Sequence, residues 1–354
     1  MIDLRSDTLT KPTAAMRQAM ATAEVGDAVI DTDPTVEHLE RFTAELLGKE
    51  DAVFMPSGSM SNQIGIRIHC ERGTEFLCET EAHIYQYEQG AFAQLSGLVA
   101  HPIAGENGVL RVADVQDQIR PETDYMVRTA LLCLENTHNR WGGRVLPHDE
   151  TIALCDWAAE NGLRRHLDGA RLWNASVAKG ISLGDLAAPF DTVSVCYSKG
   201  LGAPVGSALV GPRDLMDQAR RARKLFGGAM RQVGIVAAGA LYALQHHRDR
   251  LINDHEAARK LAVAACRSPM IRARGDRVET NLVVLDVHPD WGTAQQFCEK
   301  LEQAGVRSFT FGKQAIRLVT HLDVSPEQID RACKILVEVA DDPVADTADA
   351  AQDG

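Results

Sequence analysis

The stretch "DTVSVCYSKGLGAPVGSALV", residues 191–210, indicates an α/β fold because two short apolar runs flank a glycine-rich turn. The first run ends at Lys199, and the turn from Gly200 to Gly206 separates it from the second run. Lysine is strongly hydrated and is seldom buried without a partner. Lys199 is therefore either an ordinary surface residue or an amine that the fold holds for chemistry.

Outside this stretch, short apolar runs alternate with helical patterns as far as about residue 250. Such alternation predicts a mostly parallel sheet flanked by helices, with ligands bound beyond the carboxyl ends of the strands. The predicted strands are 52–55, 74–79, 129–136, 163–168, 191–198 and 207–211, and the predicted helices are 33–48, 61–73 and 149–162.

The pattern changes beyond residue 250 to a helix, two strands and a closing helix, which is typical of a smaller α+β domain. We therefore predict a large domain with an N-terminal arm over 1–249 and a small C-terminal domain over 250–342. The remaining residues, 343–354, are small and acidic without periodicity, and this composition predicts a disordered tail.

Composition excludes several classes of partner. The net charge of −12 repels phosphate backbones and anionic lipids, so neither nucleic acid nor a membrane surface is an expected partner. No apolar run approaches the roughly 18 residues of a membrane span, and the N-terminus has no apolar signal core. The eight cysteines are scattered without a CxxC pair, which indicates reduced, packed thiols in a cytoplasmic protein and no metal site.

An anion pocket is predicted where the strand 52–55 runs into Ser57, Gly58 and Ser59. A helix follows at about Met60, and free backbone N–H groups at a helix N-terminus attract a dianion such as phosphate. This sequence is neither GxGxxG nor a P-loop, so an ordinary Ser/Gly helix cap is the alternative.

Two further charged residues lie at the predicted strand ends. Asp168 ends the strand 163–168 and precedes Arg171, and an ionised acid in such a place needs a cation or donors. It forms either a structural pair with Arg171 or a partner for a protonated ring nitrogen. Lys199, one strand later, is suited to form a Schiff base if desolvation lowers its pKa.

These three features together match the needs of pyridoxal phosphate, which requires a phosphate site, an acid for the pyridine nitrogen and an amine for the aldehyde. His83 follows the strand 74–79 and either stacks on a flat ring or is a structural histidine. Arg231 follows a glycine pair and suits bidentate phosphate binding, and Arg317, in a strand, needs an anion such as a substrate carboxylate.

A series of motifs, in order from the N-terminus to about residue 322, resembles the low-specificity L-threonine aldolases. These are fold-type I (aspartate aminotransferase-like) enzymes of the threonine aldolase/β-eliminating lyase group. The matching motifs are "DLRSDTLTKPTAAMRQAM", "VGDAV", "DPTVEHLE", "FMPSGSMSN", "AHIYQYEQG", "LENTHN", "HLDGARLWNA", "SKGLGAPVGSALVG", "GGAMRQ" and "RLVTH". The resemblance implies a large domain with a seven-stranded, mostly parallel sheet and a small α+β domain.

The resemblance also implies a role for each matched residue. Lys199 would bind the cofactor's aldehyde, Asp168 would pair with its pyridine nitrogen and His83 would stack on its ring. The cofactor site would further contain Ser57, Gly58, Ser59, Arg171 and Arg231, with Arg231 donated by a neighbouring subunit of a homotetramer (a dimer of dimers with shared active sites). The substrate carboxylate would be bound by Ser6, Arg171 and Arg317.

Two positions depart from the family pattern where the substrate's β-substituent would lie. A family tyrosine is Ile30 here, and a histidine that several members carry is Tyr125. The expected substrate is L-threonine or L-allo-threonine, cleaved to glycine and acetaldehyde with His83 as the candidate base. The two departures leave room for an aryl substrate such as L-phenylserine.

Two other classes of function stay open at this point. A β-eliminating lyase would release pyruvate and ammonia instead of glycine and an aldehyde, but the motifs around Asp168 and Arg231 resemble the aldolase branch. A non-enzymatic, cofactor-binding regulatory or scaffold protein is the last alternative, and the intact Lys199 argues against it.

Overall fold

The computed structural model describes residues 1–275 and 278–343, so most of the predicted tail lies outside the described residues. The strands, in chain order, are β1 (Ile2–Asp3), β2 (Asp51–Met55), β3 (Glu75–Glu79), β4 (Val99–Ile103), β5 (Thr129–Glu135), β6 (Arg164–Gly169), β7 (Thr192–Cys196), β8 (Ser207–Gly211), β9 (Ile271–Ala273), β10 (Leu282–Val287), β11 (Val306–Arg307), β12 (Phe309–Gly312) and β13 (Ala315–Val319).

The helices connect these strands and cover them. They are α1 (Ala14–Ala21), α2 (Pro34–Leu46), α3 (Gly58–His69), α4 (His83–Gln86), α5 (Ala91–Ser96), α6 (Val112–Val115), α7 (His148–Glu160), α8 (Leu172–Lys179), α9 (Leu183–Ala187), α10 (Arg213–Leu225), α11 (Gly234–His246), α12 (Leu251–Ala265), α13 (Ala294–Gln303) and α14 (Pro326–Ala340).

The larger of two compact units, Thr10–Ile252, is built on a seven-stranded sheet of order β2-β8-β7-β6-β5-β3-β4. Strands β4, β3, β5, β6 and β7 are parallel, and β8 runs antiparallel to both of its neighbours. Every residue of β3, β5, β7 and β8 is buried, as expected of a sheet with helices on both faces. The predicted mostly parallel seven-stranded sheet is confirmed.

Helix α2 begins where its cap residue predicts. Asp33 is the N-cap, and its carboxylate accepts from the backbone N–H groups of Thr35 and Val36, while Pro34 takes the first helical position. The apolar positions Val36 and Leu39 are buried on one face of this helix. Gly48, predicted as its stop, adopts a positive φ of 61° just beyond it.

Helix α3 was predicted to end at Gly73, and the structure corrects this. The helix ends at His69, because Cys70 adopts an extended conformation. Gly73 instead lies in a turn in which Thr74 bonds the Glu71 carbonyl through both its N–H (3.1 Å) and its hydroxyl (2.8 Å). The glycine's φ of 83° thus serves a turn before β3, not the end of the helix.

The close approach of α3 to the sheet depends on a glycine. A β-carbon on Gly65 would lie 2.4 Å from Cε1 of the buried His166 ring on β6. A helical glycine ordinarily costs about 1 kcal/mol relative to alanine. Because Gly65 has no side chain, helix α3 can pack directly against His166.

The smaller unit contains Met1–Leu9 together with the described residues from Asn253 onward. Its sheet has the order β12-β13-β10-β9 with antiparallel pairs, and β1 pairs in parallel with β11. The N-terminal residues, predicted as an arm of the large domain, therefore pack with the C-terminal part of the chain. The Leu4 carbonyl, which accepts from the Val319 N–H at 2.8 Å, is one of the bonds that hold them there.

All eight cysteines are free thiols, as predicted, and most are buried or partly buried. Cys266 is exposed, which corrects the expectation that every thiol is packed. Among the described residues, no helix combines the length and the apolar character that a bilayer span requires.

Candidate active site

The carboxyl ends of three neighbouring strands place charged side chains on one edge of the large sheet. Glu135 at the end of β5 is the register partner of Asp168 near the end of β6. Asp168 in turn faces Ser194 of β7, and Lys199 follows three residues after β7 ends at Cys196. The alternation of strands and helices thus places the acid and the amine that the sequence singled out at the carboxyl ends of adjacent strands.

Lys199 has a fixed backbone and an available amine. Its carbonyl accepts from the Gly202 N–H at 2.8 Å and from the Thr10 hydroxyl at 3.4 Å. Gly202 closes this turn with a φ of 80°, a conformation that favours glycine. The Lys199 side chain is only partly buried, and its amine has no hydrogen bond or ion pair with any residue that the structure describes.

Asp168 is 4% exposed, and neutral donors hold its carboxylate. Oδ2 accepts from Asn62 Nδ2 at 2.8 Å, and Oδ1 accepts from the Ala170 N–H at 3.1 Å. Neutral donors keep a buried carboxylate hydrogen-bonded but do not cancel its charge. The site is therefore suited to a cationic partner such as a protonated ring nitrogen.

Asn62 on α3 joins Asp168 to a second buried acid, Glu88. The same Asn62 Nδ2 lies 2.9 Å from Glu88 Oε1, Gln63 Nε2 donates to Oε2 at 2.5 Å, and His83 Nδ1 lies 3.0 Å from Oε1. Sequence analysis missed both Asn62 and Glu88. The available signal was an acid five residues after a candidate histidine in "AHIYQYEQG".

His83 opens α4, four residues after β3 ends at Glu79, and acidic side chains surround it. Its backbone N–H donates to Glu135 Oε2 at 2.6 Å, which fixes the residue against the end of β5. Burial acts to lower the pKa of His83, but the hydrogen bond to Glu88 and the charges of Asp168 and Glu135 outweigh it, so the pKa lies above its usual value.

The first turn of α3 has backbone N–H groups without a hydrogen-bond partner among the described residues. Ser57 is the N-cap and accepts from the Met60 N–H at 3.2 Å, whereas the N–H groups of Gly58 and Ser59 have no partner among the described residues. A β-carbon on Gly58 would lie 2.7 Å from Cys196 Sγ. The first turn of α3 thus lies against the end of β7, three residues before Lys199.

These groups fit pyridoxal phosphate by the chemistry of their donors. An unpartnered amine on Lys199 suits the aldehyde, a buried carboxylate on Asp168 suits the ring nitrogen, and free N–H groups at Gly58 and Ser59 suit the phosphate. Helix α3 connects the three, because its first turn adjoins β7 and its Asn62 contacts Asp168.

A metal ion is a second way to use part of this cluster. Ligand atoms of His83, Glu88 and Asp168 all lie within 4.8 Å of one another. However, Asn62 Nδ2 directs its N–H groups at both carboxylates, where a cation would need free lone pairs. The hydrogen-bonding pattern therefore favours the organic cation over a metal.

Three predicted site residues are not gathered around Lys199 within the chain. Arg231 forms an ion pair with Asp27 at 3.0 Å and is about half exposed. The side chains of Ile30 and Tyr125 are 80% and 83% exposed, so in the single chain they line no enclosed pocket. The predicted roles of these three residues in the site therefore stay predictions.

The other predicted substrate ligands lie in two places. Arg171 is buried at the start of α8, three residues beyond Asp168. Ser6 and Arg317 belong to the smaller unit, where Arg317 Nη2 donates to the Arg5 carbonyl at 3.3 Å, next to Ser6 in the chain. The guanidinium of Arg317 also lies over the Phe311 ring, 5.0 Å from its centroid.

The buried residue His166 supports Asp168 indirectly, through its contact with Asn62. His166 Nε2 lies 3.4 Å from Asn62 Oδ1, and its Nδ1 lies 2.8 Å from the Thr192 hydroxyl, which also contacts His69 Nε2 at 2.8 Å. A neutral His166 that donates through Nε2 would fix the Asn62 amide with its nitrogen toward Asp168. Burial lowers the pKa of His166 to about 4, although the Asp168 charge acts to raise it.

Folding stability is expected to fall as the pH drops from 6.5 toward 4. An unfolded chain protonates His166 at about pH 6.5, whereas the folded chain protonates it only near pH 4, so the unfolded state binds more protons in this window. Through His166, the free energy of unfolding should fall by up to roughly 3 kcal/mol between pH 6.5 and 4. Above pH 6.5 the contribution of His166 to stability is constant. Melting temperatures measured from pH 7.5 to 5 test this.

The slope of melting temperature against pH should be shallower in His166→Gln than in the wild type. His288→Gln, at a half-exposed histidine, is the matched control and should keep the wild-type slope. Equal slopes in the wild type and His166→Gln would contradict the conclusion that the lowered pKa of His166 causes this pH dependence.

Known proteins resemble this chain over most of its length. The profile of the family described as beta-eliminating lyase matches residues 3–288. A probable low-specificity L-threonine aldolase 2 of Arabidopsis thaliana is 42% identical over 335 residues, which cover 93% of this chain and 94% of the relative. The low specificity L-threonine aldolase of Escherichia coli (strain K12) is 42% identical over 332 residues, covering 93% of this chain and 96% of the relative.

The fold is also found among solved structures. The threonine aldolase of Leishmania major superposes with a TM-score of 0.83 at 20% identity, over 96% of this chain and 100% of that chain. At this identity the likeness concerns the fold alone.

Proposed function

The chain belongs to the beta-eliminating lyase family, and on that premise we propose that it cleaves L-threonine or L-allo-threonine reversibly to glycine and acetaldehyde. It is an enzyme of the pyridoxal phosphate-dependent fold type I. The observation that supports the proposal most is the position of α3, whose first turn adjoins the end of β7 and whose Asn62 bonds Asp168. The relatives named as threonine aldolases, at about 42% identity, support the reaction type.

Each end of the cofactor would meet residues described above. Lys199 Nζ would bind the aldehyde carbon, and the Asp168 carboxylate would hold a proton on the pyridine nitrogen. The N–H groups of Gly58 and Ser59, with the Ser57 hydroxyl, would bind the phosphate. When bound, pyridoxal phosphate supplies an electron sink for the Cα–Cβ bond of the substrate.

The substrate must lose a proton from its β-hydroxyl as its Cα–Cβ bond breaks. His83 would accept this proton at Nε2, because Nδ1 faces Glu88 and Nε2 has no partner among the described side chains. A proton returned to Cα then gives glycine, and the former β-carbon leaves as the aldehyde. Ser6, Arg171 and Arg317 would bind the substrate carboxylate and so orient Cα.

The assembly would complete the site. We propose a homotetramer in which Arg231 reaches the phosphate of a neighbouring subunit, and in which that subunit covers Ile30 and Tyr125. The supporting observation is that these two large side chains are more than three-quarters exposed in the single chain. Eight free thiols also support a cytoplasmic location.

Identification of the products tests the reaction type. The purified holoenzyme, incubated with L-threonine and L-allo-threonine, is expected to release glycine and acetaldehyde in equal amounts. A β-eliminating lyase would instead release a 2-oxo acid and ammonia. Formation of the 2-oxo acid without glycine would reject the aldolase proposal and favour that alternative.

An aryl substrate is the second candidate, because Ile30 and Tyr125 replace a tyrosine and a histidine of the family pattern. If the aryl candidate is correct, kcat/KM for L-phenylserine should exceed that for L-threonine by about 10-fold or more, because an apolar pocket gains about 1–3 kcal/mol from added apolar surface. The same enzyme preparation assayed with both substrates gives the ratio. A strong preference for threonine would rule out the aryl candidate.

A further inference from the structure

Glu88 is a buried acid to which the reaction proposed above assigns no role. Its side chain is 0% exposed, and its hydrogen-bonding partners are Asn62, Gln63 and His83. A buried carboxylate without adequate donors costs several kcal/mol, so a residue of this kind is retained where its charge is used. Two consecutive amides on α3 hold both of its oxygens in place.

The carboxylate determines which nitrogen of His83 carries a proton. An ionised carboxylate only accepts hydrogen bonds, so His83 Nδ1, 3.0 Å from Glu88 Oε1, must be the donor. In the neutral ring Nε2 then carries the lone pair. The ring is about one-third exposed, and Nε2 makes no hydrogen bond within the described chain, so it is open to a ligand.

The charged groups around His83 come from three elements. Glu88 follows α4, Asp168 belongs to β6 and Glu135 to β5, and the ring of Tyr87 lies 5.5 Å away. Each of the three acids favours the protonated imidazole over the neutral one. Glu88 is the one that bonds the ring directly, whereas Glu135 bonds the backbone of His83.

A second Glu–His pair, between the end of β3 and the segment after β5, shows what distinguishes the first. His138 Nε2 lies 3.0 Å from Glu79 Oε2, but this ring is 1% exposed. The His138–Glu79 pair is buried on all sides and therefore has no open nitrogen. It is a structural ion pair and provides a matched control.

We propose that Glu88 is a positioning residue that fixes His83 as the Nδ1–H tautomer and so presents Nε2 to the β-hydroxyl of the substrate. Asn62 extends this arrangement, because its one amide nitrogen bonds both Glu88 and the Asp168 carboxylate. The acid–histidine pair and the acid for the ring nitrogen are thereby held in a single hydrogen-bonded unit. This inference rests on the proposed function for the identity of the proton that Nε2 accepts.

The test compares Glu88→Gln with Glu79→Gln. At a pH above the pKa of His83, where the ring is neutral, the ¹⁵N chemical shifts of the wild-type His83 ring should show a protonated Nδ1 and an unprotonated Nε2, with or without the cofactor. Glu88→Gln should lower the pKa of His83, move the acid limb of the kcat/KM profile to lower pH and reduce kcat about 10- to 100-fold. KM and the dissociation constant of pyridoxal phosphate should change less than 3-fold, and Glu79→Gln should leave the His83 pKa unchanged.

A cycle with His83→Ala separates positioning from a merely structural role. If Glu88 acts through His83, adding Glu88→Gln to His83→Ala should cost no further activity. An equal loss in both backgrounds, an Nε2–H tautomer in the wild type, or an unchanged His83 pKa in Glu88→Gln would each overturn the proposal. The tautomer is read on the wild type, so it decides the matter even if Glu88→Gln does not fold.

The same measurements distinguish this inference from the proposed function. A wild type that releases no aldehyde but has the Nδ1–H tautomer and a Glu88-dependent His83 pKa would refute aldol cleavage and leave the positioning role intact. A wild type that cleaves threonine with an Nε2–H tautomer would refute the positioning role alone.

Discussion

Replacing Lys199 by alanine is expected to abolish both aldol cleavage and the visible absorption band of the lysine-bound cofactor. The amine is the group that bonds the cofactor's aldehyde, and the structure gives it no other partner among the described residues. Loss of the covalent nucleophile should reduce kcat by a factor on the order of 10³ or more. Steady-state assays and absorption spectra of the reconstituted variant measure the two effects.

Lys49→Ala is the matched control for this prediction. Lys49 is a partly buried lysine of the same unit, but its Nζ donates to the Phe190 carbonyl at 2.6 Å. Its replacement should reduce stability and leave the absorption band and the products unchanged. A Lys199→Ala variant that kept the band would show that another residue binds the cofactor.

Replacing Asp168 by asparagine is expected to reduce activity by about 10²- to 10⁴-fold. Asparagine is nearly isosteric but neutral, so a buried ion pair with the ring nitrogen would lose one partner, at a cost of about 3–5 kcal/mol. The affinity for pyridoxal phosphate should also fall, because the neutral side chain no longer attracts a cationic ring. Titration of the apoenzyme with cofactor and initial rates give both quantities.

Asp191→Asn tests whether the effect belongs to the site. Asp191 precedes the opposite end of β7 and binds Arg165 in a salt bridge of 2.7 Å. Its replacement should lower the melting temperature with little effect on cofactor affinity. If both variants bind the cofactor as the wild type does, Asp168 does not pair with the ring.

The positions of the residues at the strand ends could be predicted from the sequence. Asp168 ends one apolar run and Lys199 follows the next, and parallel strands end at a common edge, so their position at the ends of adjacent strands followed from the alternation of strands and helices. The helix start after β2 was predictable for a similar reason, since Ser57 is a favourable N-cap shortly after a strand.

The supporting residues were not predictable in this way. Asn62 and Glu88 lie 26 positions apart and meet only because α3 packs across the sheet. Gly65 has no local signal, because its requirement comes from the His166 ring on β6. Such pairs are set by tertiary packing, to which hydrophobic periodicity is insensitive.

The N-terminal residues illustrate the same limit. Strand β1 has two residues, and its partner β11 follows some 300 positions later, so neither length nor alternation identifies it. Ile30 and Tyr125 could be recognised as departures from a family pattern, but both are largely exposed in the single chain, so their place in a site stays a prediction.

The central claim is that Lys199 binds the cofactor, and chemical reduction tests it most directly. Borohydride reduction of the holoenzyme makes the bond between lysine and cofactor permanent, and mass spectrometry of the digested protein then locates it. We predict a single modified lysine, Lys199, in the peptide that contains "CYSKGLGAP". Modification of a different lysine, or of none, would contradict the account.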